Sequence, residues 1–133
     1  MDIQLIYQSK ITCSYNEIDI IVQDSKSNNI ELGLTGLLLV YLDNFYQVLE
    51  GKRKVVNNLY HKIANDKRHD ELMLLSLAEI NHRQFGLWSM EVIDISSLSN
   101  EPTLQLLKKF DVDQITAEQA LWLCKHSAKN ALL

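Results

Sequence analysis

The sequence predicts an α+β fold: a mixed five-stranded sheet with two helices on one face, followed by two C-terminal helices. Three observations carry that expectation. The chain has 133 residues, the size of one domain. Apolar segments of strand-like and helix-like period alternate up to about residue 95, in the order β-α-β-β-α-β-β. Beyond that point only helical spacing remains, opened by a first-turn proline and then by a capping box.

Each element has its own signal. Residues 1–9 bring Ile3, Leu5, Ile6 and Tyr7 together, as in a buried strand. Ser14 and Glu17 form a capping box, and Ile18, Ile21 and Val22 then fall at helical spacing. This helix is expected to end near Asn28 and Asn29, residue types that tolerate turns. Residues 34–41 are almost continuously apolar, so both faces of that strand should be covered. Leu42, Asp43 and Asn44 supply a turn, and residues 45–49 return as the second arm of a hairpin ended by Glu50 and Gly51. Val55, Leu59 and Ile63 mark a second amphipathic helix reaching about Asn65. Apolar runs at 72–80 and 88–95 complete a ferredoxin-like arrangement with one added strand. Pro102 suits the first turn of a third helix striped by Leu104, Leu107 and Phe110. Thr116 and Gln119 cap a fourth, with Ala120, Leu121, Cys124 and Ala128 on one face.

Composition narrows the function. Apolar residues make up 47% and charged residues 23%, which excludes a disordered or fibrous chain. The net charge is −4 and the densest basic cluster is Lys52-Arg53-Lys54, so nucleic acid is not an expected partner. Cys13 and Cys124 lie far apart and form no CxxC pair, which suits a reduced, cytoplasmic protein. The longest apolar stretch, residues 37–42, is far short of the roughly 20 residues of a membrane span. No signal peptide, phosphate loop, GxGxxG, HExxH or GxSxG is present, and the four histidines lack metal-ligand spacing. Neither classical catalysis nor a metal is expected.

Polar residues inside apolar strands are the informative exception. Tyr7 lies in the first strand and Gln47 in the middle of Phe45-Tyr46-Gln47-Val48-Leu49. A buried glutamine without partners costs roughly 1–3 kcal/mol per unmet group. Each of these residues alone would suit a solvated strand face. Together with Asn28 and Asn29 they outline a polar patch for a hydrogen-bonding ligand, and Ile21 and Ile63 could flank something flat and aromatic.

At these residues the chain resembles a BLUF domain, the flavin-using sensor of blue light. The matching segments are Leu5-Ile6-Tyr7-Gln8-Ser9, Asn28-Asn29 with Gly33-Leu34-Thr35-Gly36-Leu37-Leu38, Phe45-Tyr46-Gln47-Val48-Leu49-Glu50-Gly51, Asp66-Lys67-Arg68-His69 and Trp88-Ser89-Met90. They run in family order over about residues 2–95. The resemblance implies that Tyr7 is the photoactive tyrosine and that Gln47 stands between its phenol and the flavin. It implies that Asn28 and Asn29, Phe45, and Asp66, Arg68 and His69 contact the ring, with Ile21 and Ile63 sandwiching it. Trp88 and Met90 correspond to the pair that shifts near Gln47 during signalling. Ser27 and Leu87 depart from the family's usual arginine or lysine and aspartate or asparagine. Tyr41 and Tyr46 are further phenols that could compete as electron donors if either points at the ring.

The resemblance thus implies a cytoplasmic photoreceptor and not an enzyme. It would bind oxidised flavin non-covalently: FAD first, FMN or riboflavin as alternatives. Residues 1–95 would be the sensor and 96–133 a two-helix extension packed on the sheet. That extension would signal through a homo-oligomer or a separate effector protein. The competing expectation is a ferredoxin-like ligand- or protein-binding module without light sensing.

Overall fold

The most apolar strands take the middle of the sheet. In the computed structural model, which describes residues 1–88, 90–95, 108, 109, 111 and 113–131, the elements run β1 (Asp2–Ile11), α1 (Tyr15–Leu32), β2 (Thr35–Tyr41), β3 (Asn44–Lys52), α2 (Arg53–Ala64), β4 (His69–Ile80), β5 (Glu91–Asp94) and α3 (Ala117–Ala131). The sheet order is β4-β1-β3-β2-β5. All neighbouring pairs are antiparallel except β2 with β5, so the sheet is mixed, as its element order predicts. The helix expected around Pro102, with Leu104, Leu107 and Phe110, lies outside the described residues.

Strand alternation divides the core into two layers. Ile3, Leu5, Tyr7, Leu38, Val40 and Leu49 face α1 and α2, which contribute Ile18, Ile21 and Val22 from one helix and Val56, Leu59 and Ile63 from the other. Ile6, Leu37, Leu39, Tyr46 and Val48 face the opposite way and pack with Ala120, Leu123, Cys124 and Ala128 of α3. The expected capping box of α3 is formed: Thr116 Oγ1 accepts from the Gln119 amide at 3.1 Å, and Gln119 Oε1 from the Thr116 amide at 3.0 Å. Among the described residues no helix is long and apolar enough to cross a membrane.

Several boundaries move, each for a local reason. Helix α1 does not stop at Asn28 and Asn29 but runs on to Leu32, because Gly33 supplies the left-handed residue (φ 67°) that closes it. The amides of Gly33 and Leu34 then donate to the carbonyls of Ile30 and Asn29. Strand β3 continues through Glu50 and Gly51, because its pairing with β1 extends to Asp2 opposite Lys52. Strand β4 starts at His69, not at 72, with register shifts that mark bulges. Strand β5 is short, and Trp88 and Met90 precede it; the Gly36 amide donates to the Trp88 carbonyl at 3.0 Å.

Gly36 is where β2, β3 and this lead-in converge. A Cβ there would lie 1.9 Å from the Val48 carbonyl oxygen and 3.4 Å from Met90 Cε. A backbone oxygen cannot give way as a flexible side chain can. Gly36→Ala should therefore destabilise the protein by about 3 kcal/mol, seen as a lower urea midpoint with an unchanged slope.

Candidate functional site

Helices α1 and α2 do not close completely over their side of the sheet. They leave a cleft of about 160 Å³, and all ten candidate ligand-contacting residues line it: Tyr7, Ile21, Asn28, Asn29, Phe45, Gln47, Ile63, Asp66, Arg68 and His69. Tyr7 and Gln47 sit directly opposite each other in the β1–β3 ladder. The Tyr7 phenol donates to Gln47 Oε1, and Gln47 Nε2 donates to Met90 Sδ at 3.4 Å. Burial raises the Tyr7 phenol far above the ordinary tyrosine range, with Tyr60 and Asp66 adding to the effect. Tyr7 therefore keeps its proton, and the bond to Gln47 runs from phenol to carbonyl. A terminal amide is a donor at one end and an acceptor at the other. Turning Gln47 over would present its NH₂ to Tyr7 and its oxygen to Met90, so this position can hold two distinct arrangements.

Two buried polar atoms in the cleft have no hydrogen-bond partner among the described residues, Asn29 Nδ2 and His69 Nδ1. The His69 Nε2 faces the Ile63 carbonyl at 2.6 Å, and since a carbonyl can only accept, Nε2 carries the hydrogen. In the neutral ring Nδ1 is then an acceptor. The cleft thus presents one unfilled donor and one unfilled acceptor, each costing roughly 1–3 kcal/mol if unmet. A ligand edge carrying neighbouring C=O and N–H groups, such as the pyrimidine edge of a flavin, satisfies both. The residues present fit that group.

Arg68 closes the mouth of the cleft. Its guanidinium grips Asp66 with Nε at 3.0 Å and Nη2 at 2.6 Å, its amide donates to the same carboxylate at 2.9 Å, and Nη1 lies 3.9 Å from Asp24 of α1. The Arg68 hydrogen bonds hold the Asp66 carboxyl below its ordinary range.

Not every expected residue reaches the cleft. Met90 touches Gln47, but Trp88 packs beside Phe85, with ring centroids 6.4 Å apart, against the opposite layer. Tyr41 and Tyr46 belong to that layer too, so neither phenol points into the cleft. Tyr46 accepts from Gln8 Nε2 at 3.0 Å, and burial pushes its phenol up to about 12. Ser27 and Leu87, the two departures from the family pattern, are exposed. The residue that sequence reasoning passed over is Glu50. It is 0% exposed and accepts from Gln4 Nε2 (3.0 Å), Thr35 Oγ1 (3.2 Å) and the amides of Gln84 (2.8 Å) and Phe85 (2.9 Å). A carboxylate ending an apolar strand was its signal in the sequence.

A mixed five-stranded sheet with a polar-lined cleft beneath two helices defines an α+β ligand-binding fold. The profile of the BLUF family, described as sensors of blue light using FAD, matches residues 3–91. This chain belongs to the BLUF family. The blue light- and temperature-regulated antirepressor BluF of Escherichia coli K12 is 31% identical over 103 residues, which are 76% of this chain and 26% of that protein. The chain spans only 13% of the photoactivated adenylate cyclase subunit beta of Euglena longa, to which it is also similar. Among solved structures, the dark state of the BLUF protein BlrB is 33% identical with a TM-score of 0.71, covering 80% of this chain and 83% of that one. The photo-activated state of BlsA, 22% identical, shares the fold with a TM-score of 0.83 over 96% and 94% of the two chains. These matches support a blue-light sensor, and a module without light sensing is not favoured.

Because the folded Asp66 carboxyl titrates below its unfolded value, its ion pair stabilises the protein above the ordinary carboxylate range and is lost as the pH falls through its folded value. Asp66→Asn should lower the urea midpoint at pH 6 and flatten its decline below about pH 4. Equal slopes in variant and parent would contradict this.

Proposed function

We propose that the cleft holds the isoalloxazine ring of an oxidised flavin, and that Tyr7 and Gln47 convert absorption of blue light into an altered hydrogen-bond pattern. The observation that carries this reading is the buried Tyr7–Gln47–Met90 chain in a cleft whose Asn29 and His69 atoms still lack partners. When bound, the flavin supplies the blue absorption and an excited state that accepts an electron. Tyr7, buried and bonded to Gln47, is the residue that would serve as electron and proton donor to such a group. Gln47 is left rearranged, by rotation or tautomerisation, with its amide turned relative to Met90. Asn29, with Asn28 beside it, and His69 hold the pyrimidine edge, Asp66 and Arg68 fix the rim, Phe45 packs within the cleft, and Ile21 and Ile63 cover the ring faces. Trp88 acts from behind the sheet. FAD is the species we assign, on the family description; FMN and riboflavin carry the same ring edge and test as alternatives.

The output reading rests on α3. Residues 1–95 act as the sensor and 96–133 as an extension, whose last helix buries Leu123 and Cys124 against the sheet face opposite the cleft. Rearrangement at Gln47 changes how the extension packs, and with it homo-oligomerisation or binding of a separate effector protein. Both cysteines are free, in keeping with a cytoplasmic setting.

The decisive experiment is the light-minus-dark absorbance spectrum of the purified yellow protein. The parent should show a reversible red shift without added reductant, and Tyr7→Phe or Gln47→Leu should abolish it while flavin stays bound. A normal red shift in Tyr7→Phe would overturn the assignment. Asn29→Ala should weaken flavin binding about tenfold, as loss of one buried hydrogen bond does. Light scattering in dark and lit states, with and without candidate effectors, should show a change in assembly mass; identical masses throughout would remove the extension from signalling.

A further inference from the structure

Residues 83–88 and Met90 lie beside the sheet, and at both ends of this stretch a tie goes to β3. At the far end, Met90 Sδ takes the Gln47 amide. At the near end, the Gln84 and Phe85 amides donate to the two oxygens of Glu50, three residues further along the same strand. Between them the Phe85 carbonyl accepts from the Trp88 amide at 3.0 Å, and the Trp88 carbonyl accepts from Gly36. Arg83 secures the root of the loop through Asp2 at 2.8 Å and the Gly33 carbonyl, also at 2.8 Å. Met90 is fully buried. The Glu50 bonds thus anchor the start of the segment that leads, through Trp88, to Met90.

Nothing else about Glu50 explains a carboxylate there. Among the described residues no cation forms an ion pair with it. Its two oxygens are instead filled by four neutral donors, which come from β1, β2 and the loop. The two oxygens of a carboxylate offer enough lone pairs to accept all four. An amide at that position keeps one acceptor oxygen and sets its NH₂ against the two donors of the other, one of them a loop amide.

We propose that Glu50 is a positioning residue for the light response: by gripping the Gln84 and Phe85 amides it seats Met90 against Gln47, and so sets how long Gln47 keeps its light-driven arrangement. The inference rests on the photoreceptor reading above. Glu50→Gln is nearly isosteric and leaves every residue lining the cleft in place. Flavin binding and the size of the red shift should be kept, while dark recovery accelerates about fivefold, the effect expected from losing one such hydrogen bond. Glu50→Asp should fall between. Met90→Ala should also accelerate recovery, and adding Glu50→Gln to it should bring no further change, because the two act through one contact.

The measurements are dark-recovery kinetics of the flavin-loaded full chain and hydrogen exchange of the parent. The Gln84 and Phe85 amides should be protected in the dark; exchange at open-loop rates would overturn the proposal without any variant. Recovery of Glu50→Gln at the parental rate, or multiplicative effects in the double variant, would overturn it as well. A parent that binds flavin but shows no red shift strikes the photoreceptor reading itself. A parent that cycles normally beside an unaffected Glu50→Gln strikes only the role of Glu50.

Discussion

The pairing of β1 with β3 at the centre of the sheet is the constraint on which the rest depends. Nine ladder positions, from Asp2 opposite Lys52 to Lys10 opposite Asn44, fix which side chains share a face. A slip of one residue would send Tyr7 and Gln47 to opposite sides of the sheet and mismatch the apolar pairs of the two layers. The register is held by burial on both faces: Leu5 and Leu49 lie under the helices, Ile6 and Val48 under α3. It is also held by side-chain bonds at three points, Gln4 to Glu50, Tyr7 to Gln47 and Gln8 to Tyr46. Two strands so over-determined can carry polar groups in a core without losing their alignment.

Those polar groups come at a cost that the apolar layers must offset. Gln4, Gln8, Gln47, Asn29 and Glu50 are all buried. Gln4, Gln8, Gln47 and Glu50 bond one another or nearby side chains and backbone, and their desolvation is largely recovered. Asn29 Nδ2 and His69 Nδ1 are the exceptions in the cleft. An unfilled donor beside an unfilled acceptor is a standing demand for a ligand of matching polarity, and ligand binding would then add to the stability of the fold.

How much of this was legible in the sequence depends on how local the deciding physics is. The hairpin, the two cleft helices and the α3 capping box were readable because each is set by contacts within a few residues. The end of α1 was misjudged: Asn28 and Asn29 look like turn residues, yet Gly33 has the left-handed backbone that ends the helix, and Asn29 stays helical to face the cleft. The cleft residues themselves were found by resemblance to a family and not by periodicity, which left Tyr7 and Gln47 equally suited to a wet strand face. Trp88 and Met90 could not be separated, since two residues of spacing predict one shared face in a strand, whereas here they precede β5 and belong to different layers. Glu50 escaped notice because its four donors come from three separate segments of the chain.

Adjacent rungs of the central ladder carry the same two residue types with the strands exchanged. Tyr7 on β1 meets Gln47 on β3 toward the cleft, and Gln8 on β1 meets Tyr46 on β3 toward α3. The partition between ligand side and helix side is therefore one backbone thick, with a phenol–amide bond bolted through on each surface at neighbouring positions. Strand separation and twist at one rung are shared by the next, because both belong to the same two peptide chains. The two bonds thus lie on opposite surfaces of the sheet yet only roughly the 3.4 Å rise of a single residue apart along the strands.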